Sequence, residues 1–198
     1  MHVIVGLGNP GSTYKGTRHN VGFETIDKLC YDFKIKLAHR RRFDAYVGEG
    51  RIAGQPVLLV QPQTYMNLSG RAVQAVLQFY KLPPDALIVV YDDISLPVGD
   101  IRVRPAGSAG GQKGAADIIQ RLGTDEFRRV RIGVGAKPTG WELSDWVLSR
   151  FPRTEWDAMI HGVTQAGDAA EMLLTHDTAA VMNKFNKKLP PPAKESPV

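Results

Sequence analysis

Cysteine is almost missing from this chain: Cys30 is the single one among 198 residues. No internal disulfide can form, which fits a reducing compartment, and a cytoplasmic location is expected. Cys30 falls inside an apolar helical pattern and is expected in the core. With one cysteine and five scattered histidines, no metal site of usual spacing can be picked out, and neither a metal nor a cofactor is expected. No run of about 18 apolar residues exists, so no membrane-spanning helix is expected. The first residues run straight into a strand-like stretch without a basic segment ahead of it, so no signal peptide is expected. No serine or cysteine sits in a nucleophile motif either, which argues against a covalent acyl-enzyme.

What is present is an ordinary globular balance, 43% hydrophobic and 23% charged, with a formal charge of +5. A mildly basic protein needs no special partner. The clustering is more telling: Arg40, Arg41 and Arg42 adjoin, and Arg102 with Arg104, and Arg128 with Arg129 and Arg131, are closely spaced. Such clusters suit a polyanion such as RNA, although a run like Arg40–Arg42 is commonly a solvated loop.

Apolar runs of strand length alternate with helical spacing. Strands are expected at 2–6, 57–60, 87–91, 101–104 and 130–134. A hairpin-like stretch at 46–60 turns near Ala53-Gly54-Gln55-Pro56. Helices are expected from Val21 to Phe33, from about Leu68 to Tyr80, and over 114–122, 156–174 and 178–186, with Asn67 and Ser69 as cap candidates for the second. The alternation predicts a single α/β domain over 1–187, with a central twisted, mixed but largely parallel sheet flanked by helices. Residues 188–198 are proline-rich and are expected to be a disordered tail.

The first glycine-rich stretch, Gly6 to Gly11, matches GxGxxG after a strand. A dinucleotide site also needs a helix starting within the glycines, with its N-terminus on the pyrophosphate. Here Pro10 precedes Gly11, Gly16 follows, and helical spacing starts only near Val21, so the nicotinamide-enzyme reading lacks its context. The glycines then shape a loop at a strand's C-terminal end, where open α/β sheets bind ligands. That loop places Asn9 at the edge, and Thr17, Arg18, His19 and Asn20 return to it. Asp92 and Asp93 end the apolar 87–91 run; they suit a turn, or a carboxylate that fixes the tautomer of His19 and makes it a base for water. Asn67 is either a helix cap or a donor to a developing oxyanion. Tyr65 and Met66 offer an apolar wall. A second glycine loop, Gly107 to Gly114, holds Gly110, Gly111, Gln112 and Lys113 ahead of a helix, and can meet a phosphate with backbone N–H groups and a lysine. Arg104 and Arg131 can reach phosphate with planar forks, or remain surface arginines.

Taken together, Gly6–Gly11, Thr17–Asn20, Tyr65–Gly70, Asp92 with Leu96 and Pro97, and Arg131–Gly135 resemble bacterial peptidyl-tRNA hydrolases across essentially residues 1–187. The resemblance implies a monomeric, cofactor-free α/β hydrolase of cytoplasmic translation. Such an enzyme cleaves the ester between a peptide and the tRNA 3′ ribose and so recycles tRNA. It implies that His19 is the general base, Asp92 holds it, Asn9 reads the first peptide amide, and Asn67 positions the carbonyl or the water. It implies that Tyr14 and Tyr65 line the pocket for the tRNA 3′ end, with Arg104 and Arg131 on the 5′ phosphate of the acceptor stem. One departure stands out. Where that family often carries Gly-Gly-His-Asn-Gly, this chain has Gln112 for the histidine and Lys113 for the asparagine. The changed loop leans toward the alternative, a non-catalytic RNA-binding relative of the same fold.

Overall fold

The computed structural model describes residues 1–186; the tail expected at 188–198 lies outside the described residues. Seven strands form one sheet: β1 (His2–Gly6), β2 (Ala38–Arg40), β3 (Ala45–Ile52), β4 (Gln55–Pro62), β5 (Leu87–Asp93), β6 (Ile101–Arg104) and β7 (Arg128–Gly133). Their order across the sheet is β2-β3-β4-β1-β5-β7-β6. The inner four are parallel, while β3, β2 and β6 add antiparallel flanks. The mixed, largely parallel α/β sheet expected from the sequence is what forms.

The helices are α1 (Val21–Phe33), α2 (Ser69–Tyr80), α3 (Lys113–Leu122), α4 (Leu143–Leu148), α5 (Trp156–Met172) and α6 (Thr178–Phe185). They cover both faces. Ile4, Ile88, Val90, Val130 and Ile132 pack on the side of α1, α5 and α6. Val3, Val5, Val89 and Tyr91 pack on the side of α2 and α3. This two-sided burial is why 87–91 is apolar without alternation. Among the described residues no helix is long and apolar enough to cross a membrane.

Several boundaries differ from expectation. β5 runs on through Asp92 and Asp93, which are buried rather than in a turn. The hairpin closes on two residues, Ala53 (φ 47°) and Gly54 (φ 75°), the left-handed pair that matches strand twist. Neither Asn67 nor Ser69 caps α2. A 3-10 turn, Met66–Leu68, precedes it, Leu68 is the cap residue without a side-chain bond, and Ser69 Oγ donates back to the Met66 carbonyl. The sequence pattern predicts neither the β2 edge strand nor α4. Cys30 packs against the core, and burial pushes its thiol up to about 11, so it is protonated and unreactive at neutral pH.

Candidate active site

The C-terminal ends of the four parallel strands meet at one edge. A pocket of about 580 Å³ opens there. β1 delivers the first glycine loop to it. No helix begins within those glycines: a 3-10 turn, Ser12–Tyr14, follows, and α1 starts at Val21. The pyrophosphate cradle of a dinucleotide site is therefore absent from this loop.

Two glycines let α1 come down on the strand ends. A Cβ on Gly22 would lie 2.5 Å from the backbone of Leu7 and of Val90, and one on Gly6 would lie 2.1 Å from the Gly22 carbonyl. That closeness carries the preceding turn, Arg18–Asn20, to the end of β5. There His19 Nδ1 lies 2.8 Å from Asp92 Oδ2, with Asp92 4% exposed. A carboxylate accepts, so Nδ1 carries the proton and Nε2 is the basic nitrogen of the neutral ring.

Asn9 is fixed from two sides. Its N–H donates to Asn20 Oδ1 (2.9 Å), and Asn20 Nδ2 donates to its carbonyl (3.0 Å). The Met66 N–H donates to Asn9 Oδ1 at 2.8 Å. The side-chain acceptor is thereby used, and Nδ2 is left as a donor toward the pocket.

The far wall comes from the second glycine loop. Gln112 caps α3 by accepting from the Ala115 N–H at 2.7 Å, and its Nε2 donates to Asp92 Oδ1 at 3.0 Å and to Met66 Sδ at 3.0 Å. Lys113 is exposed at the first turn of α3 and lines the pocket beside Gly110 and Gly111. Arg131 lies 2.6 Å from Asp93 Oδ2, an ion pair without the alignment of a hydrogen bond. Asp93 Oδ1 accepts from the Ser95 N–H and hydroxyl.

Of the residues singled out in the sequence, the pocket brings together Asn9, His19, Tyr65, Met66, Asn67 and Asp92 on one side, and Gly110, Gly111, Lys113 and Arg131 on the other. Tyr14 and Arg104 do not line it. Tyr14 meets Tyr65 edge-on at 6.4 Å, at the rim. Strand register sets Arg102 opposite Arg131 and Arg104 opposite Arg129, one repeat further from the pocket edge. Two arginines of the basic clusters are instead structural. Arg129 is 1% exposed and donates to carbonyls of Phe127, Ser108 and Asp125. Arg128 donates to those of Leu173 and Asp85.

Sequence reading also misses the lid-like wall, where Glu142, Leu143 and Val147 of the α4 region face the pocket. Arg18 anchors that wall: its guanidinium sits 3.8 Å from the Trp146 ring and 4.6 Å from the Phe151 ring, and it donates to the Val134 carbonyl and pairs with Glu155. Among the described residues no cluster of His, Cys, Asp and Glu is arranged to hold a metal ion.

An α/β sheet with a carboxylate-held histidine at the pocket on its C-terminal edge is an arrangement found in hydrolase-type sites, one that can activate a water. The family model of peptidyl-tRNA hydrolase matches residues 3–193. Peptidyl-tRNA hydrolases of Lachnoclostridium phytofermentans (48% identical, 95% of this chain and 98% of that protein) and Brevibacillus brevis (50%, covering 94% and 98%) are similar over nearly their whole length. A crystal structure of peptidyl-tRNA hydrolase from Acinetobacter baumannii superposes with a TM-score of 0.89 at 35% identity, covering 94% of each chain. The chain belongs to the peptidyl-tRNA hydrolase family.

Proposed function

We propose that this chain hydrolyses the ester joining a peptide, or an N-blocked amino acid, to the 3′ ribose of tRNA, with His19 as general base. The observation that carries the mechanism is the 2.8 Å contact of His19 Nδ1 with Asp92 at the pocket edge. Asp92 holds the tautomer and stabilises the imidazolium as Nε2 takes a proton from water. The hydroxide attacks the ester carbonyl. Asn67, exposed and lining the pocket, donates to the oxyanion from its side-chain amide. Collapse breaks the bond to the ribose oxygen, and the imidazolium returns its proton to that oxygen. Water, base and leaving group balance without a covalent intermediate. The assembled pair supports catalysis over a binding-only role.

Asn9 supplies selectivity. With Oδ1 occupied by the Met66 N–H, it offers only Nδ2, a donor. A blocked amino acid brings an amide carbonyl to accept from it; a free aminoacyl ester brings an ammonium, which cannot accept. Tyr65 and Tyr14 suit the terminal bases by stacking. Lys113, Arg131, Arg102 and Arg104 suit the phosphates of the 3′ end and the 5′ phosphate of the acceptor stem. The enzyme is proposed to act as a cytoplasmic monomer, its catalytic domain spanning 1–187.

The test is turnover of N-acetylated aminoacyl-tRNA beside the free aminoacyl form. His19→Ala should lose about 10²–10⁴-fold in kcat, the span of general-base catalysis, with tRNA affinity little changed. Near-parental turnover by that variant rules out His19 as base.

A further inference from the structure

We infer that Gln112 is a positioning residue for the His19–Asp92 pair, tying the catalytic carboxylate to the N-terminus of α3. The inference rests on the reading of His19 as the base.

Gln112 is buried, and each polar atom of its amide is used. Oε1 accepts the Ala115 N–H at 2.7 Å. That bond decides which way the amide faces, because a backbone donor requires the oxygen. Nε2 therefore faces the pocket with two hydrogens. One reaches Asp92 Oδ1 and the other Met66 Sδ, each at 3.0 Å. Asp92 Oδ2 is held by His19, so both carboxylate oxygens are occupied and its plane is fixed. The first turn of α3 can approach this closely because residue 114 is glycine; a Cβ there would lie 2.7 Å from Met66 Sδ and 3.1 Å from Gln112 Oε1.

A neutral histidine at this position would bring one ring donor and one ring acceptor. It could not serve the helix, the carboxylate and the thioether together. Gln112 does so without ionising. Each donor to Asp92 also shares its negative charge, and so limits how strongly it holds the His19 proton. Other charged groups lining the pocket are Asp93 and its partner Arg131, Lys113 of α3, and Glu142 beside α4. They are unchanged in the variants below.

Gln112→Ser separates the two jobs. Serine is a strong helix cap, so α3 keeps its N-terminal acceptor, while Asp92 loses its second donor. Gln112→Glu keeps the shape and the capping oxygen but turns a carboxylate oxygen toward Asp92. The readouts are melting temperature, kcat and KM on N-acetylated aminoacyl-tRNA, and the His19 ring titration followed by NMR in the full chain. In Gln112→Ser, kcat should fall about tenfold with KM within about twofold, the equivalent of removing one hydrogen bond to a charged group. The His19 midpoint should rise, and it should rise further in Gln112→Glu, whose fold does not depend on a serine cap. Unchanged kcat and an unmoved titration in either folded variant overturn the inference and leave Gln112 a helix cap. A titration that moves while kcat stays constant overturns it differently, by removing His19 from the reaction.

Discussion

Asn9 and Asn20 exchange two hydrogen bonds, N–H to Oδ1 at 2.9 Å and Nδ2 to carbonyl at 3.0 Å. Each is buried, and they stand 11 positions apart, one on the glycine loop and one just after His19. The pair staples the first glycine loop to the turn that carries His19, so neither can shift without the other.

The donor left on Asn9 is open to a direct experiment. Asn9→Asp keeps the acceptor for the Met66 N–H and replaces the free donor by a carboxylate oxygen. An ammonium should then be welcomed and an amide carbonyl repelled. The ratio of kcat/KM for N-acetylated over free aminoacyl-tRNA is expected to fall about 10–100-fold, the range for one charged hydrogen bond. An unchanged ratio places selectivity elsewhere.

The close approach of α1 to the sheet predicts a coupled loss of stability and activity. In Gly22→Ala the new methyl would meet backbone atoms at 2.5 Å, which no side-chain rearrangement relieves. Overpacking of this kind costs about 1–3 kcal/mol, and each kcal/mol lowers the melting temperature of a chain this size by about 2–4 °C. Because the same helix start carries His19 to Asp92, kcat should fall as well, and below the melting transition. A variant that melts early yet turns over normally separates the helix seat from the catalytic geometry.

Local chemistry makes much of this site legible. The glycine loop, the histidine turn and the acids ending β5 lie at strand ends, and a parallel sheet brings such ends to one edge. Failure of the dinucleotide pattern is equally local, in Pro10 and Gly16. What stays hidden depends on distance along the chain. Nothing local marks Arg18 as an anchor, because its partners Val134, Ser149 and Glu155 arrive from 116, 131 and 137 residues away. The short α4 has six residues, too few to show a helical period. Gln112 stands out in the sequence only as a departure from a family pattern; its bonds to the helix, to Asp92 and to Met66 come from three separate segments.

Arg102 and Arg104 share a sheet face with Arg131 beside the pocket, while Arg40, Arg41 and Arg42 lie on the opposite flank. If the acceptor stem rests on the first group, Arg102→Gln with Arg104→Gln should weaken tRNA binding and flatten its salt dependence. The slope of log K against log salt should drop by about 0.9 for each phosphate no longer neutralised. Arg40→Gln with Arg41→Gln should leave the slope unchanged. Equal effects of the two double variants point to diffuse attraction rather than a clamp.

At the opposite end of β1, His2 predicts how stability varies with pH. Its imidazole is partly buried, and Nδ1 lies 3.2 Å from Arg128 Nη2. Burial first, and the Arg128 charge second, lower its pKa from the usual 6.5. The unfolded chain therefore takes up a proton near pH 6.5 while the folded chain does not. Above that pH both states are neutral at this position and His2 contributes no dependence. As pH falls below it, the unfolded state gains protons relative to the folded state and stability declines, until the folded pKa is passed. His2→Gln keeps an acceptor for Arg128 without titrating. Urea midpoints measured from pH 7.5 to 5.5 should decline less steeply in that variant than in the parent. Parallel declines would show that Arg128 and the strand end impose no proton penalty on His2.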